Sequence, residues 1–561
     1  MYKKLFFLWM ALFIAILIQA QNIETMLNAP VIAADGGITV NNISTFAPND
    51  SAATDPFALY LSGNLNFSLL GTVNLPLTFA YTNKQLSKSV SLPFNRFALA
   101  PSYKWIKAYA GYTSMNFSPY SLAGHELFGG GMELTPDNGL KFSALYGRLQ
   151  KSSNGADGVD PAYKRMGGGL KLEYQKEKYT VSVNLFKAQD IQSSLKLVNL
   201  DSLPPLPQDN LTGGMNFILN VVKNLSWTTE YGFSALDRNA YAPSGDQAVY
   251  HAVKTRLTFT EKIGEIGATY EYVAPNYTTL GAYYMTNDFE NITANFSTVA
   301  GKFNIALDAG YQHNNLYDQK NSTDSRIIYS GSVSSKLSEK LDMAFTFSNL
   351  QSYLYINDVY SQVTQTNQFQ NLDTLNVTQL NYTASFNTNF ALQNTQEQRQ
   401  NLNLSLMYQK SAEAQQYSKF SGNDIYNTSL GYSFSLVPLQ FNASASVNYN
   451  YNKMPEDIFM KAMTCNFTLQ KNFFKELNIS LASTYSNMQN QQGNMSDILN
   501  FRLSGGYTLA KKHSFNLAAT MLHSAVEDKK RIQYAINLSY AYSFGARLSR
   551  NDRKMKLDAN F

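Results

Sequence analysis

The segment 532–544 near the end of the chain alternates strictly between apolar residues and small or polar ones. The residues between the apolar positions are Gln, Ala, Asn and Ser. Successive side chains of a strand point to opposite faces, so the pattern places every apolar side chain on one face. Similar segments of about ten residues, separated by turn residues, recur along nearly the whole chain, which is typical of a transmembrane β-barrel. The apolar positions are Ile532, Tyr534, Ile536, Leu538, Tyr540, Tyr542 and Phe544.

The first twenty residues have the pattern of a secretory signal peptide. Lys3 and Lys4 precede an apolar run from Leu5 to Ile18, and a small residue, Ala20, precedes Gln21. We therefore expect residues 1–20 to be removed and the mature chain to begin near Gln21. An N-terminal membrane anchor is the weaker alternative, because the run is shorter than the roughly 20 residues of a spanning helix. No cysteine follows the cleavage site, which excludes a lipoprotein anchor.

The composition favours a membrane barrel over a soluble multidomain protein. Charged residues make up 15% of the chain, whereas Tyr (37) and Phe (35) are abundant. Of the formal net charge of +5, Lys3 and Lys4 leave with the signal peptide. The tail 545–561 carries five basic and two acidic residues, so the barrel itself is about neutral and no nucleic-acid partner is expected. The single cysteine, Cys465, lies on the apolar side of its strand, which indicates packing and not catalysis.

The spacing of the segments predicts an all-β fold with a single antiparallel barrel of about 26 strands, with roughly 22 to 28 compatible with the pattern. Short turns such as Lys176–Lys178 alternate with long connections such as Phe186–Leu211 and Leu350–Gln379. An even strand number places both termini in the periplasm. We predict a short periplasmic segment at 21–36, the barrel at 37–544 and a basic periplasmic tail at 545–561.

Aromatic residues at the predicted strand ends support this topology. Rings at the level of the lipid headgroups form two girdles in transmembrane barrels, and a soluble array of β-sandwich domains, the alternative fold, does not predict them. The girdle at one end comprises Tyr81, Tyr231, Tyr272, Tyr311, Tyr408, Tyr449 and Tyr485, and the girdle at the other end comprises Phe67, Tyr174, Phe259, Phe434 and Phe544. The segment from Met555 to Phe561 also alternates, but its five basic neighbours favour Phe544 as the end of the last strand.

Two segments resemble a known family. The first comprises Pro93–Phe97, Pro101–Trp105 and Asn116–His125, and the second is Thr279–Tyr284. They are similar to blocks of large, poorly characterised outer-membrane β-barrel proteins of Bacteroidota. The resemblance implies the fold and the outer membrane as location, and it implies no activity.

Residue patterns for catalysis or metal binding are weak, and we predict no catalytic, cofactor or metal site. His125-Glu126 begins like a zinc-protease motif but lacks the second histidine four residues after the first. Asn154, Asp157 and Asp160 lie in a glycine-containing loop but lack the regular spacing of a calcium loop, so a solvated turn is the better interpretation.

One loop, Ser114–Gly131, is too apolar to be freely solvated. It contains Phe117, Tyr120, Leu122, Leu127 and Phe128, and Gly129–Gly131 permits close backbone approach. Two interpretations stay open: the loop folds into the lumen or packs on a partner, or it packs on neighbouring loops.

The function expected from these observations is non-enzymatic. Barrel-like alternation begins by Leu59, which leaves too few residues after the cleavage site for a globular plug. An open pore of about 26 strands would be hazardous, because barrel width grows with strand number. We expect an outer-membrane barrel in transport, export or envelope assembly, in contact with outer-membrane lipids, its lumen closed by its own loops or by a plug or lipoprotein partner. The alternatives are a diffusion porin for small solutes and, less favoured, a barrel-borne hydrolase.

Overall fold

The barrel is closed by hydrogen bonding between its first and last strands. A computed structural model describes residues 30–48, 57–83, 95–154, 160–195, 205–241, 248–319, 325–349, 351–352, 379–413, 422–455, 458–526, 529–548 and 556–557. Strand β1 (Ile32–Phe46) pairs antiparallel with β2 (Phe57–Leu69) on one side and with β28 (Lys529–Leu548) on the other. No free edge therefore remains between them, as the membrane requires of a sheet.

The remaining strands follow one another around the wall in chain order, each pairing antiparallel with its neighbour. They are β3 (Val73–Thr82), β4 (Arg96–Leu99), β5 (Ser102–Tyr103), β6 (Ile106–Thr113), β7 (Leu127–Leu134), β8 (Leu140–Gln150), β9 (Lys164–Gln175), β10 (Tyr179–Ile191), β11 (Asp209–Val222), β12 (Leu225–Asp237), β13 (Ala248–Glu261), β14 (Gly264–Val273), β15 (Phe289–Ala300), β16 (Phe303–Asn314), β17 (Ser325–Ser338), β18 (Leu341–Ser348), β19 (Gln351–Ser352), β20 (Gln379–Asn394), β21 (Gln398–Glu413), β22 (Gly422–Leu436), β23 (Phe441–Lys453), β24 (Phe459–Phe473), β25 (Leu477–Asn490), β26 (Gly493–Leu509), β27 (His513–Val526) and β29 (Lys556–Leu557).

The number of strands in the closed wall is 26, which confirms the prediction. Segments β4 and β5 occupy one position, because both bridge β3 and β6. Segments β18 and β19 both pair with β20, so they also count as one position. Segment β29 is a two-residue strand that pairs with the end of β28 and is not counted. A 3₁₀ turn, Gln192–Ser194, follows β10. Within the described residues, no helix is long and apolar enough to cross a membrane.

The two rims of the barrel differ in the length of their connections. Ile32, at the start of β1, pairs with Leu548, at the end of β28, so the chain enters and leaves the barrel wall at the same rim. We call that rim the turn rim, and its connections are 70–72, 104–105, 135–139, 176–178, 223–224, 262–263, 301–302, 339–340, 395–397, 437–440, 474–476 and 510–512. The other is the loop rim, and its connections are 47–56, 83–95, 114–126, 151–163, 192–208, 238–247, 274–288, 315–324, 353–378, 414–421, 454–458, 491–492 and 527–528.

The alternation of long and short connections weakens toward the end of the chain, where the last two loop-rim connections have two residues each. The strands are also longer than predicted on the loop-rim side. The predicted connection Phe186–Leu211 shrinks to 192–208, because β10 and β11 continue to pair up to Gln189 and Asp209. The wall begins at Ile32 and ends at Leu548, beyond the predicted limits of 37 and 544 at both ends.

The outer face carries the apolar side chains, as the alternation predicts. In β28, Ile536 and Leu538 are 51% and 49% exposed, whereas their neighbour Ala535 is buried. Predicted girdle residues Tyr81, Tyr311 and Tyr449 are exposed toward the loop rim, and Phe67 and Phe259 are exposed near the turn rim, whereas Tyr231 lies at the middle of β12. This exposed apolar belt is typical of a surface in contact with lipid hydrocarbon, because exposing so much apolar surface to water would cost free energy.

Candidate functional site

Two loop-rim connections, 114–126 and 274–288, fold into the barrel and pack on its inner wall. We call them together the inlay. Phe117, Tyr120, Leu122 and Tyr277 are all buried, although they belong to loops. Phe117 and Leu122 pack with inward-facing Phe186, which is fully buried while its outward neighbour Leu185 is 46% exposed. Tyr120 and Tyr277 pack in a second cluster with strand residues Ala252 and Val273. The apolar loop therefore combines parts of both interpretations: it folds into the lumen, and there it packs on a neighbouring loop.

Inward-facing glycines allow the inlay to approach the wall. A Cβ atom added at Gly232 would lie 2.5 Å from the Cβ atom of Tyr120. Added at Gly169, it would lie 3.0 Å from Cε2 of Phe117. A side chain at either position would collide with the inlay. The absence of side chains lets the aromatic rings of the inlay pack directly on the backbone of the wall.

The two loops of the inlay hold each other through backbone groups. The Tyr277 hydroxyl donates to the carbonyl oxygen of Tyr120 at 2.7 Å. The Thr279 hydroxyl donates to the carbonyl oxygen of Ser121, and the amide of Ala123 donates to the carbonyl oxygen of Gly281 at 3.0 Å. The segments Asn116–His125 and Thr279–Tyr284 thus lie against each other, a contact that the sequence pattern did not predict.

Buried polar side chains then fix the inlay to the wall. The Tyr120 hydroxyl donates to Oε1 of Glu271 at 2.9 Å, and the Ser121 hydroxyl donates to Oδ1 of Asn184 at 2.6 Å. Burial and the neighbouring Glu271 carboxylate raise the pKa of Tyr120, so the phenol stays protonated and remains a donor. Asn210 is fully buried: its Oδ1 accepts from the amide of Leu280, and its amide group donates to Ser234.

Asn210→Ala is expected to loosen the inlay more than any single change of an exposed asparagine. The substitution leaves the Leu280 amide buried without its acceptor, at a cost of about 1–3 kcal/mol. The temperature at which the folded band is lost in unheated-versus-heated electrophoresis measures the effect. Asn442→Ala, at an exposed inward position of β23, is the control. Equal losses for the two variants would contradict the anchoring role of Asn210.

A second group of contacts ties the end of the first loop to the second. The ring of His125 stacks on Tyr283 with 4.0 Å between ring centroids, and the amide of Glu126 donates to the Tyr283 hydroxyl. Glu126 also forms an ion pair with Arg96 at 3.0 Å. Burial lowers the pKa of His125 and raises the pKa of Glu126, the latter against the opposing effect of Arg96.

The inlay is expected to loosen on acidification because of His125. The docked state holds the neutral ring, so an undocked loop binds more protons, and docking weakens as pH falls below about 6.5. Arg165 also disfavours the charged ring, whereas the raised pKa of Glu126 acts in the opposite direction. Accessibility of the inlay to protease should rise from about pH 7.5 to about pH 5. His125→Gln should reduce this rise, and an unchanged rise would contradict the assignment to His125.

The inner wall behind the inlay carries charges in pairs. Lys254 contacts Glu271 at 2.9 Å and Lys171 contacts Glu173 at 3.2 Å, so the charges largely compensate one another. These residues face the lumen on strands β9, β13 and β14. We call the inner face of β6–β14 the charged sector.

A different surface lines the lumen on strands β20–β25. Apart from Arg399 near the turn rim, the described inward-facing side chains there are uncharged. Cross-strand hydrogen bonds order several of them, such as Thr484 to Asn466 at 2.9 Å and Ser405 to Asn387 at 2.7 Å. We call this surface the amide wall. Its members include Thr383, Ser385, Asn387, Asn389, Asn403, Ser405, Asn427, Ser429, Ser444, Ser446, Asn448, Asn450, Thr464, Asn466, Thr484 and Ser486.

The residues that the sequence analysis weighed for chemistry are spread over the molecule. His125 and Glu126 serve as the stacking and ion-pair contacts of the inlay. In the described ranges no three His, Cys, Asp or Glu side chains are grouped to hold a metal ion. Asp157 lies outside the described residues, so the calcium-loop hypothesis stays untested. Phe128 does not belong to the inlay: it is the second residue of β7, and its ring packs against Tyr112 and Phe97.

Comparison with known proteins finds similarity of fold. No family model matches the chain, and no curated protein matches it. The P pilus usher translocation pore aligns over 92% of this chain and 100% of its own, with 11% identity and a TM-score of 0.38. A copper transporter, OprC, aligns over 91% and 80%, with 11% identity and a TM-score of 0.38. The unliganded ferric citrate transporter FecA aligns over 92% and 79%, with 10% identity and a TM-score of 0.41. These likenesses concern the fold alone.

Proposed function

We propose that this barrel spans the outer membrane and acts, without enzymatic activity, as a transport protein whose lumen is narrowed by the inlay. The apolar outer belt with its aromatic girdles supports the membrane location. The inlay is the observation that carries the function. Loops that bury Phe117, Tyr120 and Tyr277 inside a barrel have a defined place in the lumen, and they reduce its free cross-section.

The amide wall indicates the kind of solute that would pass. Amide and hydroxyl groups hydrogen-bond to uncharged polar molecules, and a wall without charges neither attracts nor repels ions of either sign. The inlay covers part of the charged sector, for example Glu271, so that part does not line the path of a solute. We therefore propose uncharged, hydroxyl-rich solutes as the cargo, moving along β20–β25.

Conductance in planar bilayers tests the narrowing role. We expect the purified protein to conduct little, and a variant with residues 116–124 replaced by a Gly-Ser segment of equal length to conduct several-fold more. The control replaces Lys151–Asn154, in another loop-rim connection, in the same way. Equal conductance of the parent and the 116–124 variant would contradict the proposal.

The diffusion porin remains the second candidate, because the amide wall also suits free passage of small solutes. Large, steady channels from the unaltered protein would favour it. A plug or lipoprotein partner remains a further proposal. Mass spectrometry of proteins that co-purify in mild detergent tests it, and a stoichiometric envelope protein is the supporting result.

A further inference from the structure

The turn rim carries a strong excess of positive charge. All twelve of its connections are described, and together they contain ten lysines and five acidic residues. The thirteen connections of the loop rim contain sixteen acidic and seven basic residues. By sequence, the connections at the turn rim thus carry net positive charge, and those between the strands at the other rim carry net negative charge. The lysines are Lys104, Lys176, Lys178, Lys223, Lys262, Lys302, Lys340, Lys475, Lys511 and Lys512.

Lysines at and beside the turn rim lie on the outer wall, where the apolar belt ends. The ammonium group of Lys176 lies over the ring of Tyr174 at 5.4 Å, and Tyr174 follows the outward-facing Leu172 in β9. On another part of the wall, the strand residue Lys471, at the turn-rim end of β24, lies over the ring of Phe473 at 5.2 Å. A lysine above a girdle ring is placed at the level of the lipid headgroups.

Large apolar side chains accompany the lysines at the turns. Ile263, next to Lys262, is 80% exposed, and Phe474, next to Lys475, is 81% exposed. An apolar side chain beside a lysine fits the boundary between acyl chains and headgroups, because the apolar side chain contacts the acyl chains and the ammonium group contacts the headgroups. Because most of these turns have only two or three residues, they cannot extend far beyond that boundary.

We propose that the turn rim binds the anionic headgroups of phospholipids in the leaflet that surrounds it. Each lysine near an anionic membrane surface favours binding by roughly fivefold. The inference rests on the proposed membrane-spanning function and adds a lipid preference to it. An acidic protein could also be attracted by the lysines, but the cations over Tyr174 and Phe473 lie on the outer wall, where lipid is the neighbour.

The tryptophans provide a local reporter of this preference. After removal of the predicted signal peptide, Trp105 and Trp227 are the tryptophans of the chain. Trp105 lies in a turn of this rim beside Lys104, and Trp227 lies near the start of β12, three residues after Asn224. We therefore test the protein in phosphatidylcholine vesicles that contain either brominated phosphatidylglycerol or brominated phosphatidylcholine, and measure quenching of tryptophan fluorescence.

Brominated phosphatidylglycerol is expected to quench several-fold more effectively than brominated phosphatidylcholine at equal content. Lys104→Gln, Lys223→Gln and Lys262→Gln, combined in one variant, should abolish the difference. The control combines Lys151→Gln, Lys187→Gln and Lys410→Gln, three exposed lysines toward the loop rim, and should retain it.

The outcomes separate the two proposals. Equal quenching by both lipids would overturn the headgroup preference and leave an acidic protein as the partner of the lysines. Absence of quenching by either lipid, in a protein that retains heat-modifiable mobility, would overturn the membrane-spanning proposal itself.

Discussion

Gly232→Leu is expected to release the inlay from the wall and to raise the conductance of the barrel several-fold. The added side chain would occupy the position of Tyr120, because even a Cβ atom would lie 2.5 Å from the Tyr120 Cβ atom and 2.9 Å from the Tyr277 hydroxyl. Overpacking of this kind costs about 1–3 kcal/mol when the surroundings adjust, and a loop can adjust by leaving. Single-channel recording measures the change, and limited proteolysis within 114–126 reports the release.

Gly431→Leu is the matched control for this change. Gly431 also faces the lumen, but on the amide wall, where the nearest atom to an added Cβ is 3.7 Å away. The substitution should leave both conductance and proteolysis near the parent values. If Gly232→Leu behaved like Gly431→Leu, the inlay would not rest on Gly232 in the membrane.

Ile536→Arg is expected to impair assembly severely. Ile536 faces outward from β28, between the exposed Tyr534 and Leu538, so an arginine there would face the hydrocarbon region. Arginine at the lipid-facing midplane of a barrel costs about 2–4 kcal/mol. The yield of heat-modifiable protein in the outer-membrane fraction measures the effect.

Asn537→Arg is the adjacent control, because Asn537 points to the lumen, opposite Ala518 of β27. An arginine at that position meets water, and its yield should fall far less. Equal loss from the two variants would contradict the inward and outward assignment of the last strand, which closes the barrel against β1.

The barrel wall could be predicted from the sequence because its signal is local. Each strand shows its inward and outward face within about ten residues, since the period of two follows from backbone geometry alone. The strand number, the positions of the turns and the outward placement of Ile536 follow from this pattern. The strand limits were less predictable, because pairing between β10 and β11 continues beyond the apolar stretch to Asp209.

The interior could be predicted only in part. The apolar residues Phe117, Tyr120 and Leu122 showed that their loop must be buried, but a local pattern does not identify the surface that buries it. That surface includes Gly232 and Glu271, more than 100 residues away in sequence. The partner loop 274–288 was found only through the folded chain.

The sequence by itself determined the closed all-β wall and its two faces, because alternation depends on each strand alone. The tertiary structure decided what that wall encloses. Tyr120 contacts Tyr277 and Glu271 only when the eight strands β7–β14 have been placed between the two loops. The lysines of separate turns form one basic rim only when the sheet closes. Contacts between residues far apart in the chain depend on strand order and register, which no local pattern contains.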